Sequence, residues 1–363
     1  MSYNNRILSL AEKYKQFFED KTRGQILVII APWTFPVDYS SLGIRERGGY
    51  DEWDYDREYR EFIENSVRRL DYFSGYTRDL DNDCVPSLNI NIGYGVHSAY
   101  FTGQEVIMGK ETSWTRPYVD SWDKLDNLHI DRDKYWYRKI MEGYRYLNEY
   151  NRGDYVLSNF SNAGPGDMAN AVRGDALFYD LYDEKENVHR LMQKCTEAII
   201  ALEIDIDRLI EPVECKNVSG QVTANVWIPG KAPYLSEDFN DLVSVEQYRE
   251  FDFIYTQQAL DHFGGAYIHH HSKGRHIHGT IAKLGNLKLL EISWDPKCPR
   301  PIDNLGAILE VHGDVPLQVR CTARDVYNRI DELKRGRVIL QLEIRSLEEG
   351  REVMKFIRKN SRI

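Results

Sequence analysis

Apolar residues fall along this chain in two alternating rhythms. Short β-branched runs recur at ILVIIAP (26–32), SLNINIG (87–93), YVLSNFS (155–161) and VTANVW (222–227). They continue at GAYIHHH (265–271), LKLLEISW (287–294), VPLQVRC (315–321) and VILQLEI (338–344). Apolar runs this short, bounded by turn residues, predict strands. Between them the period changes to that of a helix. In DREYREFIENSVRRLDYF (56–73), Phe62, Val67 and Leu70 share one face. Val188, Leu191, Met192, Cys195, Ile199 and Leu202 recur at three and four residues before the fourth run, the spacing of an amphipathic helix. The later units are compact. TARDVYNRIDELKRG offers Thr322 as an N-cap and Gly336 as a stop, and SLEEGREVMKFIRKN offers Ser346 as a cap with Glu348 and Glu349 at the positive helix end.

Eight predicted strands alternating with helices, and no Gly-Ser or Pro-rich linker, predict an α/β fold: a single (β/α)8 TIM barrel. Residues 1–22 are read as an N-terminal helical extension and residues 23–363 as the barrel domain. The early connections are long, notably 33–50 and 94–130, and the second holds ETSWTRPYVDSW with Trp114, Arg116 and Trp122 close together. Long connections in a compact domain usually build a site.

Composition narrows the function classes. Hydrophobic residues make up 42% and charged residues 29%, enough for a sizeable core, and the net charge of −10 argues against nucleic acid or an anionic membrane as partner. No apolar run approaches the roughly 20 residues of a membrane span, and nothing resembles a signal peptide. The five scattered cysteines form no CxxC pair, which points to a cytoplasmic protein.

The stretch AYIHHHSKGRHIH (266–278) holds five of the chain's ten histidines. A barrel places chemistry at the C-terminal ends of its strands, where this stretch falls. Strand alternation sends His269 and His271 to one side and His270 to the other. His278 follows close enough to fold back over the mouth. Three readings stay open for the pair: metal ligands, a metal-free substrate clamp, or hydrogen-bonded polar residues lining the barrel mouth.

In order along the chain come RGQILVIIAPW, GPGDMANAVRGDALFYDLYDEKENV, YLSEDFNDLVSVEQYREF, the histidine stretch and DVPLQVRCTARDV. Together they resemble the uroporphyrinogen decarboxylase (URO-D) superfamily, which includes zinc-dependent, corrinoid-linked methyltransferases, from about residue 23 to the end. The resemblance implies a barrel enzyme, zinc as cofactor, and a corrinoid carried by a partner protein. The decarboxylases hold their substrate's carboxylates with an arginine-rich segment after the first strand. Here that segment reads APWTFPVDYSS, without arginine, so uroporphyrinogen decarboxylation is not expected. The methyltransferases bind zinc through an H-x-C pair after strand five and a cysteine near strand eight. Here the pair is His269 and His271, and the cysteine is lacking, with Glu343 the nearest donor and Cys321 a further one. Histidine and carboxylate make a harder site than thiolate, suited to oxygen rather than sulfur.

By the same resemblance Asp238 matches an acidic site position and His278 a site histidine, and both are expected to be catalytic. Arg173 matches the family's RG. Trp114, Arg116, Trp227 and Trp294, in or beside the predicted top-face loops, complete the expected substrate contacts. The main expectation is a zinc-type methyltransferase acting on a methoxylated or hydroxylated small molecule, with a corrinoid protein as partner. A lyase or hydrolase acting by acid–base chemistry on a small polyol or sugar-like substrate is the alternative, as is a non-catalytic tetrapyrrole or small-ligand binder. Self-association into a homodimer stays open.

Overall fold

Seven parallel strands form one sheet in the order Gln25–Ile29, Arg337–Glu343, Leu317–Thr322, Leu287–Ser293, Ala266–His271, Tyr234–Ser236 and Ser161–Ala163. The computed structural model describes residues 3–45 and 48–363. Residues 1, 2, 46 and 47, which belong to the predicted extension and the 33–50 connection, lie outside them. A second parallel pair joins Ser87–Leu88 to Val156–Leu157. The Gln25–Ile29 edge of the large sheet is bonded to the segment that precedes the second pair. The Asp83 amide donates to the Val28 carbonyl at 2.7 Å, and the Val28 amide to the Asp83 carboxylate at 2.7 Å. At the other edge the chain of Val156–Leu157 runs directly on into Ser161–Ala163. Among the described residues no helix is long and apolar enough to cross a membrane.

The predicted helical faces are buried as read: Phe62, Val67 and Leu70 on the helix Tyr59–Tyr76, and Val188, Leu191, Met192, Cys195, Ile199 and Leu202 on Lys185–Asp207. Thr322 closes a capping box with Asp325, and Ser346 accepts from the Glu349 amide at 3.1 Å. Side chains along the strands divide by parity, as a pleated strand requires. Ile26, Val28, Leu317, Val319, Cys321, Leu340 and Leu342 pack on the helices that cover the outer face, with Val326, Val353 and Met354. Leu27, Ile29, Tyr267, Leu289 and Ile339 face the other way.

The run VTANVW is a correction. It does not form the fourth parallel strand: Val218–Thr223 and Val226–Pro229 are an antiparallel hairpin, extended by Val213–Cys215. Ala224 and Asn225 at its tip hold left-handed φ values of 49° and 63°, the two-residue turn that matches strand twist. The fourth parallel strand is the short Tyr234–Ser236. The hairpin and the helix Asn5–Glu19 share a core with the inner face of the sheet, joining Trp227, Val222, Tyr14 and Phe17 to Leu27, Leu289 and Ile339. Trp227 is therefore buried, its indole N–H donating to the Val213 carbonyl at 3.1 Å, and is not the rim residue expected from sequence.

Gly220 makes room for that indole, because a Cβ there would lie 2.3 Å from the Trp227 ring. Gly220→Ala is accordingly expected to cost about 1–3 kcal/mol by overpacking, read as a lower thermal unfolding midpoint. An unchanged midpoint would show that the hairpin can yield.

Candidate metal centre

The strand Ala266–His271 lies between Tyr234–Ser236 and Leu287–Ser293, so its end borrows groups from both neighbours. The alternation expected at the histidine run holds: His269 and His271 turn to one face and His270 to the opposite, buried one. His269 Nδ1 donates to Glu291 at 2.7 Å, and His271 Nδ1 donates to Asp295 at 2.9 Å. A carboxylate on each Nδ1 fixes the tautomer that carries the lone pair on Nε2. The two Nε2 atoms then face each other 3.0 Å apart. Asp238 Oδ1 lies 3.9 Å from His269 Nε2 and 3.5 Å from that of His271. Two opposed lone pairs at such a distance repel, so a cation belongs between them, either a proton shared as a hydrogen bond or a metal ion. These three residues also form a group whose donor atoms all lie within 4.8 Å of one another.

Each carboxylate is itself held. Glu291 accepts from Ser293 at 3.1 Å and Gln341 at 2.9 Å, and is hydrogen-bonded to the Tyr267 hydroxyl. Burial alone would raise the Glu291 carboxyl, but His269 and the Tyr267 and Ser293 hydroxyls outweigh it and bring it down to about 2. Burial works against charge on His269 too, yet Glu291, Asp238 and Asp167 push its pKa up to about 9. A field that holds a proton on this ring equally favours a metal cation. Asp295 accepts from the Lys273 amide at 2.9 Å and from the Ser272 hydroxyl at 3.2 Å, and is lowered because these bonds and His271 outweigh burial.

Asp238 stands on a built turn. Its amide donates to Asp167 at 3.1 Å, and the Phe239 amide bonds the same carboxylate. Asp167 sits in the first turn of the helix Pro165–Arg173. Burial and the neighbouring Asp238 raise its pKa. The Glu237 amide donates to the His269 carbonyl at 2.8 Å, which ties the turn to the histidine strand.

The other expected site residues lie elsewhere. Glu343 belongs to a strand three places away in the sheet and pairs with Arg320, and three strand spacings are roughly 14 Å. Cys321 is buried on the outer face among the helices, and burial pushes its thiol up. His278 is buried too: its Nδ1 meets His270 Nε2 at 2.7 Å and its Nε2 meets His312 Nδ1 at 3.0 Å. It is a link in a buried imidazole chain on the helix side, not a mouth residue. Arg173 pairs with Asp180 at 2.7 Å, donates to the Val119 carbonyl at 2.8 Å and stacks over Trp122, so it anchors its loop. Trp114 and Arg116 are exposed on and just after the hairpin strand Ser113–Thr115, and Trp294 donates to the Cys298 carbonyl. None of these four lines the cavity beside the histidines.

That cavity, of about 610 Å³, reaches the site through His269 and Glu291, a volume suited to a small molecule. Tyr234, which stacks on His269 with ring centres 5.7 Å apart, forms part of its wall. Glu291 and Asp295 escaped the sequence reading. A single carboxylate inside the apolar LKLLEISW was a usable signal, since a charge is buried only when paired.

No family model matches the chain, and no curated protein matches it. Its fold is similar to a solved structure described as a methyltransferase from Methanosarcina mazei. The TM-score is 0.53 at 13% identity, over 76% of this chain and 80% of that one. At that identity the likeness shows a shared fold.

Proposed function

We propose that this chain is a URO-D-like (β/α)8-barrel enzyme in which His269, His271 and Asp238 hold a divalent metal of the zinc type. The parallel strand order, the bonded edge at Val28 and the fold likeness support the barrel. One observation carries the metal: two Nε2 atoms, each oriented by a carboxylate on its own Nδ1, oppose each other beside Asp238. Two imidazoles and a carboxylate are a recognised donor set for zinc or iron with open positions. A metal bound there supplies Lewis acidity toward a substrate oxygen.

The chemistry we favour is methyl transfer from a methoxylated small molecule. The carbon–oxygen bond breaks, the oxygen keeps the electron pair and takes up a proton, and the methyl carbon bonds to the cobalt of a reduced corrinoid on a partner protein. Glu291 and Asp295 keep the imidazoles oriented and electron-rich, Asp167 holds the Asp238 turn, and Tyr234 packs the ring of His269. Trp33 and Tyr94 line the cavity and are 48% and 65% exposed, an aromatic rim onto which a flat macrocycle can settle.

Zinc-treated protein freed of unbound metal is expected to retain one ion per chain. With a panel of methoxylated aromatic and aliphatic compounds and free cob(I)alamin, it should form methylcobalamin, followed by absorbance. A chain that retains no metal, or one equally active after chelation, would defeat the proposal.

A further inference from the structure

A second pocket opens at the face opposite the histidines. The adjacent parallel strands Gln25–Ile29, Arg337–Glu343 and Leu317–Thr322 begin there, whereas the metal centre stands at the C-terminal end of Ala266–His271. Lys21, Arg23, Asp314 and Arg335, just before these strands, line the pocket together with Arg337. Four of these five side chains are cationic, in a chain of net charge −10. Arg337 is the buried one, 7% exposed. Its Nη1 donates to the Asp314 carbonyl at 3.2 Å and its Nη2 to the Phe17 carbonyl, and its guanidinium lies over the Phe17 ring at 5.1 Å. These partners hold the group but carry no charge. Its Nε has no hydrogen-bond partner among the described residues. Tyr3 and Arg45, the described neighbours of positions 2 and 46, belong to the far end of the helix Asn5–Glu19 and to the connection after the C-terminal end of Gln25–Ile29, away from this pocket. Burial lowers the pKa of Arg337, and Asp20 and Asp314 offset that only in part. A buried charge is unfavourable unless paired, and so is a buried N–H left unbonded. An anion in the pocket answers both. Around it Lys21, Arg23 and Arg335 are exposed. Arg23 stands 3.6 Å from Asp314 and Arg335 3.7 Å from Glu310, exposed pairs of a kind that contributes little and can turn to a ligand.

We infer that this pocket binds a tetrahedral oxyanion, a phosphate ion or the phosphoryl group of a small ligand, through Arg337 Nε and the exposed cations. The pocket has about 10 Å³, room for one water-sized atom. One oxygen of the anion therefore enters it and accepts from Arg337 Nε, while the other oxygens stay outside, facing Lys21, Arg23 and Arg335. A dianion suits that surplus of positive charge, and its outer oxygens suit three separate cations. A carboxylate offers a single charge and only one outer oxygen. The site lies apart from the metal centre, and the inference does not rest on the metal reading.

Inorganic phosphate, phenyl phosphate and acetate are the probes, titrated by calorimetry at constant ionic strength into the chelator-treated chain, where no metal competes for them. One phosphate group per chain is expected to bind with a Kd below about 1 mM, and at least about tenfold more tightly than acetate. Tighter binding of phosphate marks the free ion as the ligand, and tighter binding of phenyl phosphate a phosphorylated molecule. Arg337→Lys keeps the charge but removes the Nε–H, and should weaken binding at least about tenfold, the worth of one charge-assisted hydrogen bond. Lys21→Gln combined with Arg23→Gln should weaken it about fivefold. These two positions are exposed, so the pair also serves should Arg337→Lys fail to fold. Zinc stoichiometry should be unchanged in all of these variants. Failure of both phosphates to bind, affinity no better than that of acetate, or binding that the substitutions leave unchanged would each overturn the inference. So would binding lost in His271→Ala and kept in Arg337→Lys, which would place the anion in the cavity beside the histidines.

Discussion

Replacing His271 by alanine is expected to lower divalent-metal affinity at least about 100-fold, by analogy with the 10–100-fold cost of losing only an outer partner of a metal-bound histidine. The substitution removes one of three donors and also leaves Asp295 without the imidazole it accepts from at 2.9 Å. His269→Ala should behave alike, with buried Glu291 losing its imidazole partner. Neighbouring His270 provides the internal control. Its side chain points away from the pair and into the imidazole chain, so His270→Ala should lower stability while zinc still binds one to one. Cys321→Ser should leave metal binding untouched, because the thiol faces the helices. Competition with a chromophoric chelator measures all four variants. Zinc lost by His270→Ala and retained by His271→Ala would show the donors to be misassigned.

His278→Leu is expected to cost roughly 2–5 kcal/mol at pH 7, and the cost should shrink in acid. At neutral pH the change orphans His270 Nε2 and His312 Nδ1, which now sit 2.7 Å and 3.0 Å from the His278 ring, and each buried group left unpaired costs about 1–3 kcal/mol. The pH dependence follows from burial, which brings the pKa of His278 down to about 3, with His312 adding to the effect. In the unfolded chain the same ring titrates near 6.5. The folded pKa is the lower one, so below pH 6.5 the unfolded state binds a proton that the folded state refuses. The contribution of His278 to stability is therefore fully present above 6.5 and lost as pH falls toward 3. Leucine carries no such proton, while the other titrating groups enter both proteins alike to first order. The deficit of the variant should narrow by about 1.4 kcal/mol per pH unit below 6.5. Denaturant unfolding at pH 7, 6 and 5 measures it, and a deficit constant over that range would sink the prediction.

Several misplacements were avoidable on the sequence. In LQVRC, Leu317, Val319 and Cys321 share one parity and Gln318 and Arg320 the other. The apolar set faces the helices, and Cys321 belongs to it. In VTANVW the Ala224-Asn225 pair interrupts the alternation, and asparagine tolerates the left-handed conformation that the turn adopts. The apolar run therefore spans two strands and the turn between them.

By itself the sequence determined the periodicities, and with them the strand–helix alternation, the buried helix faces, the caps at Thr322 and Ser346, and the division of His269 and His271 from His270. All of these depend on residues within a few positions of one another, where backbone geometry alone decides. Which carboxylates meet the histidines is a different kind of fact. Asp238 comes from the turn after one neighbouring strand and Glu291 and Asp295 from the other, while Glu343, equally acidic and also at a strand end, lies three strands away on Arg320. The inserted hairpin likewise joins segments far apart in sequence. Only the tertiary structure decided these, because lateral strand order and side-chain pairing across the sheet are set by the packing of the whole core and leave no periodic trace in the chain.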